Sequence, residues 1–406
     1  MSLPLQSDTT IRFPRLIDCH VHFREPGLEQ KGTMRSEAAA AKAGGVGIVC
    51  EMPNTDPPTV TIAALADKVR RAAEVDDCGI RFFFGVTDSV HLRAIEELWT
   101  GTSADMRRLK ARCPGVKIYL DHSTGNQKVN AGLLDDVFQT CGRHGIPVVA
   151  HCEDAEMNAR LQAENARADV GAHSFIRPPE SEAKAIGHAI TFAKKHGSRL
   201  HIAHLSTRDG VELVRRAKAD GLPVTCEVAP HHVFLTTDDY AALGTFAKMN
   251  PPLRTRDHVE ALWAGIADGT VDCIATDHAP HTIEEKRSSN PLDAPSGVPG
   301  VETMLPLLLT VALGGWPHPA SARPAACALT MNDIVRLCFT HPNHIFSLGA
   351  SDEEVLAVDP DAEWTIRGKD LHSKCQWTPY EGWNVKGKIV EWLAVQAVMM
   401  SVHPDE

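Results

Sequence analysis

Short apolar runs alternate with longer amphipathic stretches from near the start of the chain to about residue 277. The runs cover 16–22, 47–52, 80–86, 116–120, 146–151, 200–204, 223–228 and 272–276. Each is of strand length and apolar at successive positions, the pattern of strands buried on both faces. The segments between them have helical composition, as in MRSEAAAAKAG (34–44) and RDGVELVRRAKADG (208–221), the latter stopped by Gly221 and Pro223. Eight strands with intervening helices predict an α/β fold, a closed parallel (β/α)8 barrel of TIM type, which takes about 250 residues. An open doubly wound sheet is the rival, but no GxGxxG follows the first strand. Past the eighth strand, DAPSGVPG (293–300) reads as a loop and helical patterns run to about residue 348. The remainder, with EVLAVDPDAEWTI and WTPYEGWNVKGKIVEWLAV, is rich in β-formers, tryptophan and turns. The predicted division is therefore a barrel over 13–348 and a small β-rich appendage built from 1–12 and 349–406.

Chemistry in such a barrel gathers at the C-terminal ends of the strands. Those ends carry His20 and His22 on the first strand, Lys117 on the fourth, His151 on the fifth, His204 on the sixth and Asp277 just past the eighth. In DCHVHFREPG (18–27) the alternation of His20, His22 and Arg24 puts all three on one strand face. Any one of these residues alone reads equally well as a hydrogen-bonded strand-end group. Their joint occurrence at one end of the barrel points to a metal site. Neutral imidazoles and carboxylates suit Zn²⁺, and a catalytic site leaves a position open for water or substrate. Lys117 is the odd member. As an ammonium about 4 Å from a dication it is repelled by about 8 kcal/mol at an effective dielectric near 20. Either it snorkels away from the site, or its amine carries a carboxyl group that turns it into an anionic bridge.

Composition narrows the partners. The chain has 406 residues, with 41 basic against 52 acidic side chains and a formal charge of -11. No basic tract stands out, which argues against nucleic acid. An anionic substrate then needs a local cation, and Arg24 offers a planar fork for a carboxylate. The 11 cysteines are scattered without CxxC pairs, as expected of reduced core thiols rather than a disulfide framework. No signal-peptide pattern and no apolar run of membrane-spanning length is visible, so a soluble, cytoplasmic protein without a membrane partner is expected.

The motifs DCHVHFREPG, EMPNT, VKIYL, VVAHCED, LHIAHLST, TCEVAPHH, ATDHAPH and GVPGVETMLP stand in the order seen in dihydroorotases of the amidohydrolase superfamily. The chain resembles in particular the dihydroorotase domain of the animal multifunctional pyrimidine-synthesis protein, from about residue 13 to the WTPYEGWNVKGKI turn region. The resemblance implies two Zn²⁺ ions bridged by a carboxylated Lys117 and a hydroxide. His20, His22 and Asp277 would bind the more buried ion, and His151 and His204 the other. It implies the reversible cyclisation of N-carbamoyl-L-aspartate to L-dihydroorotate in pyrimidine (UMP) synthesis, with Asp277 as the proton carrier. Asn54 and His281 would join Arg24 around the substrate carboxylate, and Asn250, Pro299 and Gly300 would supply ring contacts. Asn54 beside Pro53 also reads as a turn residue, and His281 as a loop cap. Residues 121–127 have the composition of a lid or of a plain solvated loop.

One departure bears on the metal count. The animal domain has a cysteine where Ala203 stands, associated there with an additional metal. Alanine argues against a third zinc here, and Glu227 is left as a buried strand-end carboxylate without a role. A homodimer and association with other enzymes of pyrimidine synthesis stay open. The rival activities are those of allantoinases and hydantoinases, which share the metal frame. Allantoinases have asparagine where Arg24 stands, and typically MPLN for MPNT. A non-catalytic relative with a structural role is a further alternative, but such proteins lose ligands and this chain keeps all six.

Overall fold

A computed structural model describes residues 10–121 and 127–393. Its strands in chain order are β1 (Ile11–Pro14), β2 (Leu16–Val21), β3 (Val46–Glu51), β4 (Gly79–Phe82), β5 (Phe84–Gly85), β6 (Val116–Tyr119), β7 (Val148–His151), β8 (Leu200–Ile202), β9 (Val224–Val228), β10 (Cys273–Ile274), β11 (Val355–Thr365) and β12 (Asn384–Leu393). From β2 to β10 every pairing is parallel. The third strand is broken. Where an unbroken 80–86 is predicted, β4 pairs with β3, β5 pairs with β6, and Phe83 sits between them. The chain hands its hydrogen bonds from one neighbour to the other at this point. An apolar run buried on both faces carries no alternation that could reveal the break.

The ring closes between β10 and β2 with little ladder. Val21 bridges to His278, and His22 N donates to His278 O (2.7 Å). A side chain completes the seam: Asp18 Oδ1 accepts from Thr276 N (3.0 Å) and His20 N (3.2 Å), and Thr276 Oγ1 donates to Asp18 Oδ2 (2.5 Å). The result is a (β/α)8 barrel.

Ile17, Cys19, Cys50, Met52, Phe83, Val149, Ala203, Cys273 and Ala275 fill the inside of the barrel. Phe339, Ile345, Phe346 and Leu348 join this cluster from the helical segment over 331–346 and the turn just after it, which plug the N-terminal ends of the strands. Arg199 donates to Ile345 O, and Arg81 Nη2 to Leu348 O (3.4 Å), fixing the plug. The opposite ends of the strands are left to the polar residues.

The helices obey local rules. Met34–Ala43 starts at Thr33, whose side chain and that of Ser36 cap each other's backbone N–H, and it ends at Gly44. Gly44 is required, because a Cβ there would lie 2.3 Å from Val301 O. Arg208–Ala219 starts from a Thr207 cap. Among the described residues no helix is long and apolar enough to cross a membrane. All 11 cysteines are free and buried.

β1, β11 and β12 form a separate antiparallel sheet. Its first strand spans 11–14, across the 12/13 boundary expected from the sequence, and residues 1–9 and 394–406 lie outside the described residues. The segment between β11 and β12 returns to the barrel. Trp377 Nε1 donates to His281 O (2.7 Å), and Ser373 Oγ donates to Glu37 Oε2 (2.6 Å). Glu37 also faces His278 Nε2 (2.8 Å), and His278 Nδ1 accepts from Gly300 N (3.0 Å). The appendage thereby braces the loops that follow β10.

Candidate active site

Five strand ends converge on one cleft. Its walls include His20, His22, Arg24, Asn54, Tyr119, His151, His204, Asn250 and Asp277, around a volume of about 260 Å³. His20, His22 and Asp277 form one group whose ligand atoms lie within 4.8 Å of one another. His22 Nε2 and His20 Nε2 approach Asp277 Oδ1 at 3.0 and 3.4 Å. In a second group, His151 Nδ1 faces His204 Nε2 at 3.0 Å. Two ring nitrogens at that separation are held as if aimed at a shared cation.

Outer partners select the tautomers. His22 Nδ1 donates to Asn54 Oδ1 (2.7 Å), which turns Nε2 toward Asp277. His20 Nδ1 donates to Glu227 Oε1 in a short contact. His151 Nε2 donates to Glu153 Oε2 (2.8 Å). Burial holds His22 down at about 4 and His204 well below the usual imidazole range. These rings are thus neutral and have lone pairs to offer. Burial alone would raise Asp277, but His20, His22 and His204 hold it well below the usual carboxylate range.

Lys117 is fully buried on β6, and its Nζ has no hydrogen-bond partner among the described residues. Burial pulls its pKa down to about 8. An unpaired buried ammonium is costly, whereas a neutral amine at this position can take up CO₂. The donor set of His20, His22 and Asp277 fits a bound metal ion.

The backbone is unusual at the same places. Arg24, His204 and Asp277 have φ of 73°, 32° and 47°, in the left-handed region that non-glycine residues avoid. Each follows the end of a barrel strand and turns a functional side chain over the mouth.

Other expected residues are placed unequally. Arg24 is buried; its Nε donates to Pro280 O (3.0 Å) and its Nη2 to His281 Nε2 (3.0 Å). His281, held at about 3 by burial and by Arg24, is a neutral acceptor behind the arginine and not part of the cleft wall. Asn250 lines the cleft, with His173 Nε2 2.8 Å from its Oδ1. Pro299 and Gly300 stand back from the wall, which Pro295, Ser296 and Gly297 supply instead. Of the 121–127 loop, residues 122–126 lie outside the described residues. Asp121 is buried and paired with Arg177 (2.9 Å).

Two buried lysines pin the 292–297 rim. Lys248 Nζ donates to Leu292 O (2.5 Å) and Ala294 O (2.6 Å). Lys286 Nζ donates to Lys248 O (3.0 Å), Pro295 O (2.9 Å) and Gly297 O (3.1 Å). Lys286→Met leaves three carbonyls without their donor. We expect KM to rise about tenfold, equivalent to about 1.4 kcal/mol, with metal content unchanged. Steady-state kinetics paired with metal analysis check this, and parallel loss of metal would show that the rim supports the ligands instead.

Three further residues enter only with the structure. Tyr119, two positions after Lys117 and so on its face, lines the cleft with a buried, unpartnered hydroxyl. The strand alternation that singles out His20 and His22 would have found it. Glu153 bears the same i+2 relation to His151. His231, three residues beyond β9, is buried with Nε2 unpartnered and held at about 4 by burial.

Comparison with known proteins agrees with this geometry. The Amidohydrolase family model matches residues 11–305. A dihydroorotase of Halobacterium salinarum is 41% identical over 378 residues, covering 91% of this chain and 82% of that protein. Multifunctional protein CAD of Squalus acanthias is 34% identical over 388 residues, 95% of this chain but 15% of that protein. The solved L-hydantoinase (dihydropyrimidinase) from Arthrobacter aurescens superposes with a TM-score of 0.84 at 27% identity, over 95% of this chain and 84% of that one. The chain therefore belongs to the amidohydrolase family, as a cyclic amide hydrolase of the dihydroorotase group.

Proposed function

We propose that the chain catalyses the reversible cyclisation of N-carbamoyl-L-aspartate to L-dihydroorotate, with two zinc ions held by His20, His22, Lys117, His151, His204 and Asp277. The observation that carries this reading is the buried, unpartnered Lys117 amine within electrostatic reach of Asp277 and His204, beside a cleft walled by four histidines and that aspartate. Carboxylation of the neutral amine by CO₂ forms an N–C bond and releases one proton. It supplies the negative charge that neutral imidazoles cannot. When bound, the dications polarise the amide carbonyl and make water a nucleophile near neutral pH.

The chain's own groups do the rest. Asp277, ionised at neutral pH, accepts a proton as the ring opens and passes it to the departing ring nitrogen. In ring closure it starts protonated and gives that proton to the oxygen that leaves as water. Tyr119 presents a hydroxyl donor to a substrate carbonyl. Arg24, aimed by Pro280 O and His281, takes the carboxylate that stays outside the reaction. This fixed cation favours dihydroorotate over the uncharged ring of a hydantoin. A role beside other enzymes of pyrimidine synthesis in the cytoplasm belongs to the same reading, supported by the likeness to one part of the multifunctional protein.

Arg24→Lys tests the reading. The charge survives but the planar fork does not. KM for both substrates should rise about 10- to 100-fold, the span of about 1.5–3 kcal/mol for a charge-assisted hydrogen bond, while bound zinc stays the same. Equal turnover of a hydantoin and dihydroorotate by the wild type would instead favour the hydantoinase assignment.

A further inference from the structure

We propose that the floor of the barrel, at the N-terminal ends of the strands and away from the cleft, holds a second ligand site that takes the phosphate group of a small phosphorylated molecule. A cavity of about 320 Å³ opens there, within the size range of small-ligand sites. Arg81, Lys110 and Arg199 line it, and no carboxylate does. They come from β4, from the last residue of the helix Ala104–Lys110 and from the position just before β8. The two arginines belong to the inward face of the barrel, because Phe83 and Ala203, two and four positions further on, lie inside it. Pro114, Phe346 and Leu348 add carbon surface to the wall.

The charge in this cavity is unbalanced. Among the described residues every hydrogen bond of the three cations ends on a backbone carbonyl. Arg81 Nη2 donates to Leu348 O (3.4 Å), Arg199 to Ile345 O, and Lys110 Nζ to Trp99 O (3.1 Å). Burial and the nearby Arg112 hold Arg81 below the ordinary guanidinium range, and burial does the same to Arg199, with no carboxylate opposing either. This cluster stands in a chain whose acidic side chains outnumber the basic ones by 52 to 41. Fixing the plug explains one N–H of each arginine, and a neutral donor could serve a carbonyl as well. It does not explain the remaining N–H groups, Lys110, which makes no bond to the plug, or the cavity that the three share. A phosphate group explains all of them. It carries a charge of about -1.5 to -2 near neutral pH and three acceptor oxygens. Guanidinium forks grip such a group two N–H bonds at a time, with the ammonium as a point charge beside them. A carboxylate, with two oxygens and one charge, leaves part of the cluster unanswered.

The experiment titrates the intact, metal-loaded enzyme by calorimetry with inorganic phosphate, with adenosine 5′-monophosphate and, as the neutral control, with adenosine. Saturable binding of the phosphates is expected, and none of adenosine. Tighter binding of the nucleotide than of inorganic phosphate identifies an ester seated on the carbon surface, and equal affinities identify the free anion as the occupant. Lys110→Gln leaves the plug bonds in place and should raise Kd about tenfold or more, with bound metal and turnover unchanged. Arg199→Lys keeps the charge without the fork and should also weaken binding. Arg81→Lys serves as its substitute should Arg199→Lys not fold. Arg24→Lys, a change confined to the cleft, should leave this Kd as it is. Absence of saturable phosphate binding, equal binding of adenosine, or an affinity unmoved by Lys110→Gln overturns the proposal and leaves the two arginines as fasteners of the plug.

Discussion

Asp277→Asn is expected to slow the reaction about 10³-fold or more in both directions, toward the upper end of what a general acid–base contributes. Asparagine can occupy the same place near His20 and His22, but it cannot carry a proton. The sign of the perturbation at this carboxyl fixes its resting state in the wild type. Burial works to raise its pKa, and the surrounding imidazoles His20, His22 and His204 override burial and hold it low. The carboxylate is therefore ready to accept a proton across the neutral range. A rise of ring opening with pH that then levels off therefore reports ionisation of the attacking water, with Asp277 already ionised throughout. Ring closure needs the proton on the site beforehand, so its rate should fall over the same interval. Closure also consumes a proton overall, so the equilibrium itself moves toward dihydroorotate as pH falls. Initial rates in both directions between about pH 5 and 9 test this. Parallel profiles, or substantial turnover by Asp277→Asn, would reduce Asp277 to a metal ligand.

Lys117→Ala should be equally severe for a different reason. It removes the bridge, so zinc content and activity should fall together, well beyond the about 10- to 100-fold cost of losing an outer-shell partner. The cavity left in the alanine variant should admit a short carboxylic acid. Acetate or propionate should then restore part of the activity in a concentration-dependent way. Restoration by carboxylates but not by amines or alcohols would identify the missing group as an anion. A variant with full turnover and full zinc would show that Lys117 is a strand-end lysine and nothing more.

Much of this architecture is legible along the chain because its signals are local. Strand ends can be read from apolar runs, and a two-residue period places His20, His22 and Arg24 on one face without knowledge of the fold. The eight-strand count survives even where the third strand is broken at Phe83, since burial on both faces hides the break but not the strand. Features that depend on distant segments are not legible in this way. Glu227 appears in the sequence as an isolated carboxylate, and only the barrel brings Cys19, His20 and His201 around it. The rim could not be assigned to Pro295–Gly297 rather than Pro299–Gly300. Loop contacts have no period, and the pins that set this loop come from Lys248 and Lys286. His281 was expected beside Arg24 at the substrate carboxylate; it faces Arg24 Nη2 but lies outside the cleft lining, a placement that a histidine in a loop does not announce.

The left-handed backbone at Arg24, His204 and Asp277 places stability and function in opposition. Such a conformation costs about 1–2 kcal/mol per residue with a side chain and almost nothing with glycine. Glycine at any of the three would relax the main chain and also remove a buried polar or charged group, while destroying the chemistry. A screen for thermal tolerance alone would therefore drift toward inactive proteins at these positions. The marginal stability given up there is the part of the fold that selection on turnover, and not selection on folding, maintains.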